Sequence, residues 1–370
     1  SFDSFLKDVV MAATLPYRPL WLPLQEVRTL RYRGDADAKG TSGWQRPATA
    51  SAMGTSAAGH SFRLLGSVAA AGLSLSALHR GRRFQGRHSR RCRVYRRAID
   101  TFLVPGPKID VGKLAMAIAP LAAHIDISCL VFFSLGVKPE IISAVAGGSL
   151  GIHGMCPVYI ADCYGIIGWD KKEGKNVEMM EEGRGSEYGC PGGQGGEGVV
   201  VVAFRGKHHG GETGGTHMVV KAHGKAELQP ASTGVSYGGY AKACYKLEHS
   251  GDLVPIDEFV VSSSTGSAVV SYDGDDAGEV AAGAAKQLPS KASAAGYFPC
   301  FCRGYNKYMK DGVEPAAFAS EGLDGVPIFG MFAHGELGPN KGVPITVAPG
   351  EAPETEHDVH SSTSILALYD

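Results

Sequence analysis

Residues 326–341 read VPIFGMFAHGELGPNK. Val326, Ile328, Gly330, Phe332 and Ala333 make an apolar run with the alternation of a buried strand, and it leads straight into His334, Gly335 and Glu336. Gly338 and Pro339 then signal a turn. The layout puts a carboxylate at the mouth of a core strand, between glycines that let backbone or a ligand come close.

Outward from this stretch, periodicity gives a coarse map from Ile99 onward. Helical spacing covers 113–124 with an interruption at Pro120, and Pro139 at a first helical position opens a helix over 139–146. Strands are expected over 127–134, 157–161, 218–222, 258–262, 268–272 and 295–302. The run from Val199 to Phe204, led by four valines, demands a place in the middle of a sheet. An Ala-rich helix is expected over 279–288, and Pro315 starts another short one. Strands and helices mix without a strict βαβ rhythm, which predicts a layered α+β fold of mixed sheets.

The order of these segments resembles the FIST sensory domain. Gly330, Phe332, Gly335, Glu336, Gly338 and Pro339 stand where that family's closing signature has its glycines, aromatic residue, glutamate and turn. Upstream, GYNKYMKDGVEPAAF (304–318) resembles the family's helix, glycine turn and second helix; downstream, HSSTSILAL (360–368) resembles its terminal strand with a threonine. The stretch 114–168 follows the family's N-terminal order, including LVFFS (130–134) and a strand ending near Cys163 and Gly165. The resemblance covers roughly residues 110–370. It implies a two-part domain, 101–250 and 251–370, that binds a small molecule such as an amino acid, with no cofactor and no catalysis of its own.

Charge separates the first hundred residues from the rest. Residues 1–100 hold 17 Lys+Arg and 6 Asp+Glu, a balance of 17−6=+11; the remainder holds 36−17=19 against 37−6=31, a balance of −12. After Met53 comes an apolar run over 64–78, too short to span a bilayer, and then the basic stretch HRGRRFQGRHSRRCRVYRR (79–97). This reads as a signal and transit presequence over 53–100, with Phe84 resembling the aromatic start of transit sequences for complex plastids. A disordered basic arm is the competing reading; nothing supports base recognition, so nucleic acid is not expected as a partner. Residues 1–52 show no clear period and read as an upstream or precursor segment, in which PLQEV (23–27) resembles part of an F-box. The expected location is the plastid, soluble or peripheral at a membrane, with the cytoplasm as the alternative.

Several motifs carry less than their residues suggest. Gly193 to Gly198 fits GxGxxG but precedes a strand instead of following one, so it reads as a loop. His208, His209, His217 and His223, with Glu212 among them, lack the fixed spacing of a zinc site. Seven cysteines beyond residue 100 have no framework spacing and are expected as buried or free thiols; Cys300 and Cys302 are expected on one face of a strand. Cys163 beside Asp162 would not be acidified by that carboxylate, which disfavours nucleophilic catalysis. Glu336 is expected either to take a structural role, pairing with Arg303 or capping backbone amides, or to grip the amine of a ligand. The expected ligand-binding set is therefore Asp162, Cys163, Gly165, Arg303, His334, Gly335 and Glu336, with no metal. The alternatives to a non-catalytic sensor are an assembly subunit of a plastid membrane complex, an F-box-like ubiquitin-ligase adaptor, or an enzyme built on Cys163 and His334 or on a His–Glu pair. No transmembrane helix is expected in the mature chain.

Overall fold

The valine run occupies a strand buried on both faces. In the computed structural model, which describes residues 98–122, 126–181, 196–205, 215–289 and 292–370, this strand is β6 (Gly198–Arg205). It lies second in a six-stranded sheet ordered β1 (Ile99–Pro105), β6, β2 (Ile127–Leu135), β3 (Val158–Asp162), β9 (Ala243–Leu247) and β10 (Leu253–Ile256). Only β2 and β3 run parallel; their neighbours pair antiparallel. Val199, Val201 and Ala203 face Leu114 and Ile118 of α1 (Val111–Ala122) and Ile142 of α2 (Pro139–Ser143). Val200, Val202 and Phe204 face the opposite way, into a cluster with Met218, Phe298 and Phe329. With apolar surface on both sides, every β6 position favours an apolar side chain, and period-two alternation disappears.

Two further sheets supply the second layer. One has the order β11 (Glu258–Ser263), β7 (Thr216–Ala222), β8 (Val235–Ala241), β15 (Glu336–Pro339) and β17 (His357–His360). The other has seven strands: β16 (Ile345–Val347), β12 (Ser267–Tyr272), β18 (Ser364–Tyr369), β13 (Ala294–Pro299), β14 (Ile328–Met331), β4 (Gly165–Asp170) and β5 (Lys175–Met180). The outer face of this third sheet is covered by α3 (Ala277–Ala285), whose Ala277, Ala281 and Ala284 pack with Phe318 of α5 (Val313–Phe318) over Val270, Tyr297 and Leu366. A single turn of helix, α4 (Tyr305–Tyr308), precedes α5. The layers run helices, sheet, paired sheets, helices: an α+β fold with mixed sheets. Strands from both sides of residue 250 interleave in the second and third sheets, and the described residues fall within one unit, 88–370.

The structure revises several expectations. The stretch 326–341 is two strands in two sheets, β14 and β15, and Gly338 and Pro339 lie inside β15 and not in a turn. The handover is made by three successive backbone donors: Phe332 N–H to the Gly165 carbonyl (3.0 Å), Ala333 to Pro299 (2.8 Å) and His334 to Tyr240 (3.2 Å). Gly335 turns the chain with φ of 116°, a value that favours glycine. Strand β13 stops at Pro299, because the next residues close a turn through Arg303 N–H to the Cys300 carbonyl. The expected terminal strand over 360–368 is broken at Ser361 and Ser362 into β17 and β18. The hairpin of β4 and β5 was not expected from sequence; neither were the strands over 235–256. The first described strand, β1, begins at Ile99, inside the expected presequence boundary of 100. Residues 1–97, the loop over 183–195, His208, His209, Glu212 and Cys190 lie outside the described residues.

Gly330 has no room for a side chain: a Cβ there would strike the Tyr297 carbonyl of the paired strand β13. Gly330→Ala is expected to lower unfolding stability by about 1–3 kcal/mol or more, because the clash is with backbone that cannot repack; the midpoint of urea unfolding measures it.

Candidate functional site

The expected site residues separate into three groups. Asp162, Cys163 and Gly165 lie where β3 hands over to β4, and His334 and Gly335 lie at the crossing between β14 and β15. Tyr164 joins them: its ring centroid is 6.0 Å from that of His334, and its hydroxyl is 3.1 Å from His223 Nδ1. His334 is itself sandwiched between Phe301 (centroids 4.9 Å apart, interplanar angle 2°) and His223 (4.3 Å, 25°). The Asp162 carbonyl accepts from Lys242 N–H (2.8 Å), the Gly165 carbonyl from Phe332, and the Gly335 carbonyl from Tyr240 N–H (3.2 Å). Cys163 is wholly buried, donates to the Ala161 carbonyl (3.2 Å) and touches Met331 Sδ (3.6 Å). Burial, reinforced by Asp162, holds its thiol well above the usual range, so it stays protonated.

Glu336 does not lie at an open strand mouth. It is fully buried, and Oε2 accepts from the Thr363 hydroxyl at 2.8 Å. Arg303 is not its partner. The guanidinium binds Glu314 instead, with Nε to Oε1 at 2.9 Å, and also reaches the Gly274 carbonyl (2.9 Å) and the Tyr308 hydroxyl (3.2 Å). Glu314 also accepts from the Tyr297 hydroxyl. Arg303 and Glu314 are 2% and 0% exposed, so each ion depends on the other for its solvation in a dry interior.

A cleft of about 470 Å³ opens beside this network, between the β4–β5 hairpin and α5. Its walls include Trp169, Lys175, Asn176 and Asp311, with Glu178 at 5% exposure among them. Asn176 is committed to structure: Nδ2 donates to the Val326 carbonyl (3.1 Å) and Oδ1 accepts from Ile328 N–H (2.8 Å), pinning β5 beside β14. Glu178 Oε2 accepts from Gly312 N–H at 2.8 Å. Its Oε1 is buried without a hydrogen-bond partner. Burial first, then the charges of Glu314 and Asp311, push the carboxyl up to about 8 against the pull of the Gly312 amide. Asp311 is raised by burial as well.

Sequence reading missed Glu178 because KNVEMM (175–180) looks like an ordinary polar hairpin arm. The available signal was period two: Asn176 and Glu178 share one face, while Val177 and Met179 on the other pack against the core. No group of three His, Cys, Asp or Glu able to hold a metal occurs among the described residues. His217 is buried in β7, its Nδ1 2.8 Å from Ser262 Oγ, and His223 belongs to the ring stack.

Glu178 and Glu336 are both pushed up to about 8, each chiefly by burial; at Glu336 the Thr363 donors and the Cys300 thiol pull the other way. Between the unfolded carboxyl value near 4.5 and about 8, the folded chain holds two protons that the unfolded chain has released, so stability is expected to fall as pH rises through that window. Each group contributes a slope approaching about 1.4 kcal/mol per pH unit. Glu178→Gln and Glu336→Gln should each flatten the profile, as measured by urea unfolding from pH 5 to pH 8. No family model matches the chain, and no curated protein matches its sequence.

Proposed function

We propose that the part of this chain from residue 98 onward is a non-catalytic sensory module that holds a small amine-bearing molecule, an amino acid or a similar metabolite, in the cleft floored by Glu178. The reading agrees with what the FIST resemblance implies, and it places the carboxylate grip expected of Glu336 at Glu178. The observation that carries it is the Glu178 carboxyl, with one oxygen held by the Gly312 amide and the other buried without a partner in the cleft wall. An unpaired buried acceptor costs free energy, and an ammonium group that supplies the missing donor recovers it. The cleft volume lies in the range of small-molecule sites. Asp311 and Asp324 add negative charge along the wall against the single cation of Lys175.

An assembly subunit would be favoured by a continuous exposed apolar face. The most exposed large apolar side chains among the described residues, Met116, Met309 and Val343, lie on different elements, so the sensor reading is preferred. Residues 1–97, on which the plastid expectation and the F-box likeness rest, lie outside the described residues.

An arriving ammonium must displace the proton that Glu178 carries below about pH 8. Affinity is therefore expected to rise as pH climbs from 6 towards 8, approaching tenfold per unit, and to level off above. Glu178→Gln should weaken binding by about 1.5–3 kcal/mol, whereas Glu336→Gln should leave it unchanged. The measurement is a thermal-shift screen of the chain against the twenty amino acids and simple amines, followed by calorimetric titration of any hit at several pH values. A pH-independent affinity, or a hit untouched by Glu178→Gln, would remove the cleft from the proposal.

A further inference from the structure

Three segments of the chain meet where β13 ends. Cys300 and Cys302 sit in the turn closed by the Arg303 amide, their Sγ atoms 3.0 Å apart. Cys300 is buried and Cys302 is partly exposed, so one sulfur reaches solvent while the other is shielded. Ser362, from the loop before β18, brings its hydroxyl to 3.8 Å from Cys302 Sγ. It does so with φ of 60°, a left-handed conformation that a serine adopts at a cost and that recurs where geometry serves a site. Glu336, the first residue of β15, is 0% exposed, with Oε2 on Thr363 and Oε1 lacking a hydrogen-bond partner. Cys300 N–H donates to the Thr363 carbonyl (2.8 Å) and the Thr363 hydroxyl to Glu336 Oε2, which places the carboxyl beside the pair.

We propose that Cys300 and Cys302 form a thiol–disulfide exchange site for organic disulfides, in which Cys302 attacks, Cys300 resolves and Glu336 carries the proton of Cys300. The Cys302 thiolate, having released its proton to solvent, attacks one sulfur of a substrate R–S–S–R′. That S–S bond breaks, R′S⁻ leaves and takes up a proton, and Cys302 is joined to R in a mixed disulfide. Cys300 then gives its proton to Glu336, in the ionised fraction of that carboxyl which grows as pH rises towards 8, and its sulfur attacks Cys302 Sγ. RS⁻ leaves and receives the proton from Glu336. The substrate disulfide is reduced to two thiols, and Cys300 and Cys302 are oxidised to one disulfide, a balanced transfer of two electrons and two protons.

The local chemistry fits this division of labour. A hydrogen bond from Cys300, helped by the Ser362 hydroxyl and the Arg303 charge, pulls Cys302 down against the cost of its partial burial, which favours its thiolate. The same hydrogen bond, together with burial, pushes Cys300 up, so it needs a base at the resolving step. Cys129, Cys156, Cys163 and Cys244 are buried and pushed up by that burial, which leaves them inert. The dithiol does not line the Glu178 cleft, so the inference stands independently of ligand binding there.

The test equilibrates the full chain in mixtures of reduced and oxidised glutathione, traps thiols with a maleimide and maps the labels by peptide mass. Cys300 and Cys302 are expected to lose their labels together across one two-electron midpoint. Cys300→Ser should stop at a stable glutathione adduct on Cys302, and Cys302→Ser should not react. Glu336→Gln should leave adduct formation unchanged but slow resolution by about 100-fold. Independent loss of the two labels, or an adduct that persists in the unaltered chain, would overturn the site. Resolution at an unaltered rate in Glu336→Gln would overturn the role of the carboxyl, and the two cysteine variants test the exchange itself if that variant fails to fold.

Discussion

Double-sided burial of β6 is the constraint on which the rest of the molecule depends. A strand whose residues 199–204 are all inaccessible to solvent needs an apolar layer on each side. Helices α1 and α2 provide one and the paired second and third sheets provide the other. Once those sheets lie against the first, their own outer surfaces still carry apolar side chains, and α3 and α5 cover the third sheet. The four-layer order thus follows from one run of valines. It also accounts for where polar chemistry survives. Buried ions and carboxyls gather at the margins of the third sheet, where strands end, helices begin and backbone amides are available to hold them.

The Arg303–Glu314 pair shows how that margin is organised. Removing either partner of such a pair would leave an unsolvated charge, typically worth about 3–5 kcal/mol, so the turn after β13 and the start of α5 are fixed relative to each other. Two functional candidates flank this fixed point. Glu178 lies close enough to feel the Glu314 charge, and Cys302 feels the Arg303 charge. The pair lends negative potential to one neighbour and positive potential to the other, reinforcing burial at Glu178 and the Cys300 hydrogen bond at Cys302. A single structural ion pair thereby tunes two groups in opposite directions.

The elements legible in the sequence were those with strong one-face or two-face burial. The strands over 127–134, 199–204, 218–222 and 268–272 and the helix opened by Pro139 all carry unbroken apolar or clearly capped patterns, and each is present. Failures cluster where tertiary contacts, and not local pattern, decide. The alternation over 326–333 does not end at residue 331, yet the strand does, because carbonyls of three different segments capture the next three amides. Nothing in the local sequence announces those partners. The candidate site divides in the same way. Asp162, Cys163, Gly165, His334 and Gly335 do assemble around Tyr164, but Glu336 turns inward to Thr363 and Arg303 turns to Glu314, choices set by residues distant in sequence. Glu178, hidden in an unremarked hairpin arm, acquires its character only from Gly312 and Glu314 across the sheet.

The placement of β18 has a consequence for the way the chain acquires its structure. This strand separates β12 from β13 and pairs along its whole length with both, yet among the described strands it is the last to be made. Until residues 364–369 emerge, β12 and β13 each present an unpaired edge, and the β4–β5 hairpin, made far earlier, joins this sheet through β14. Closure of the third sheet is thus a late, long-range event, slow in the manner of folds rich in non-local pairings and exposed meanwhile to edge-to-edge association. Completion of the Glu314 network waits on the same strand, since the Tyr297 hydroxyl reaches Ser364 of β18 as well as Glu314.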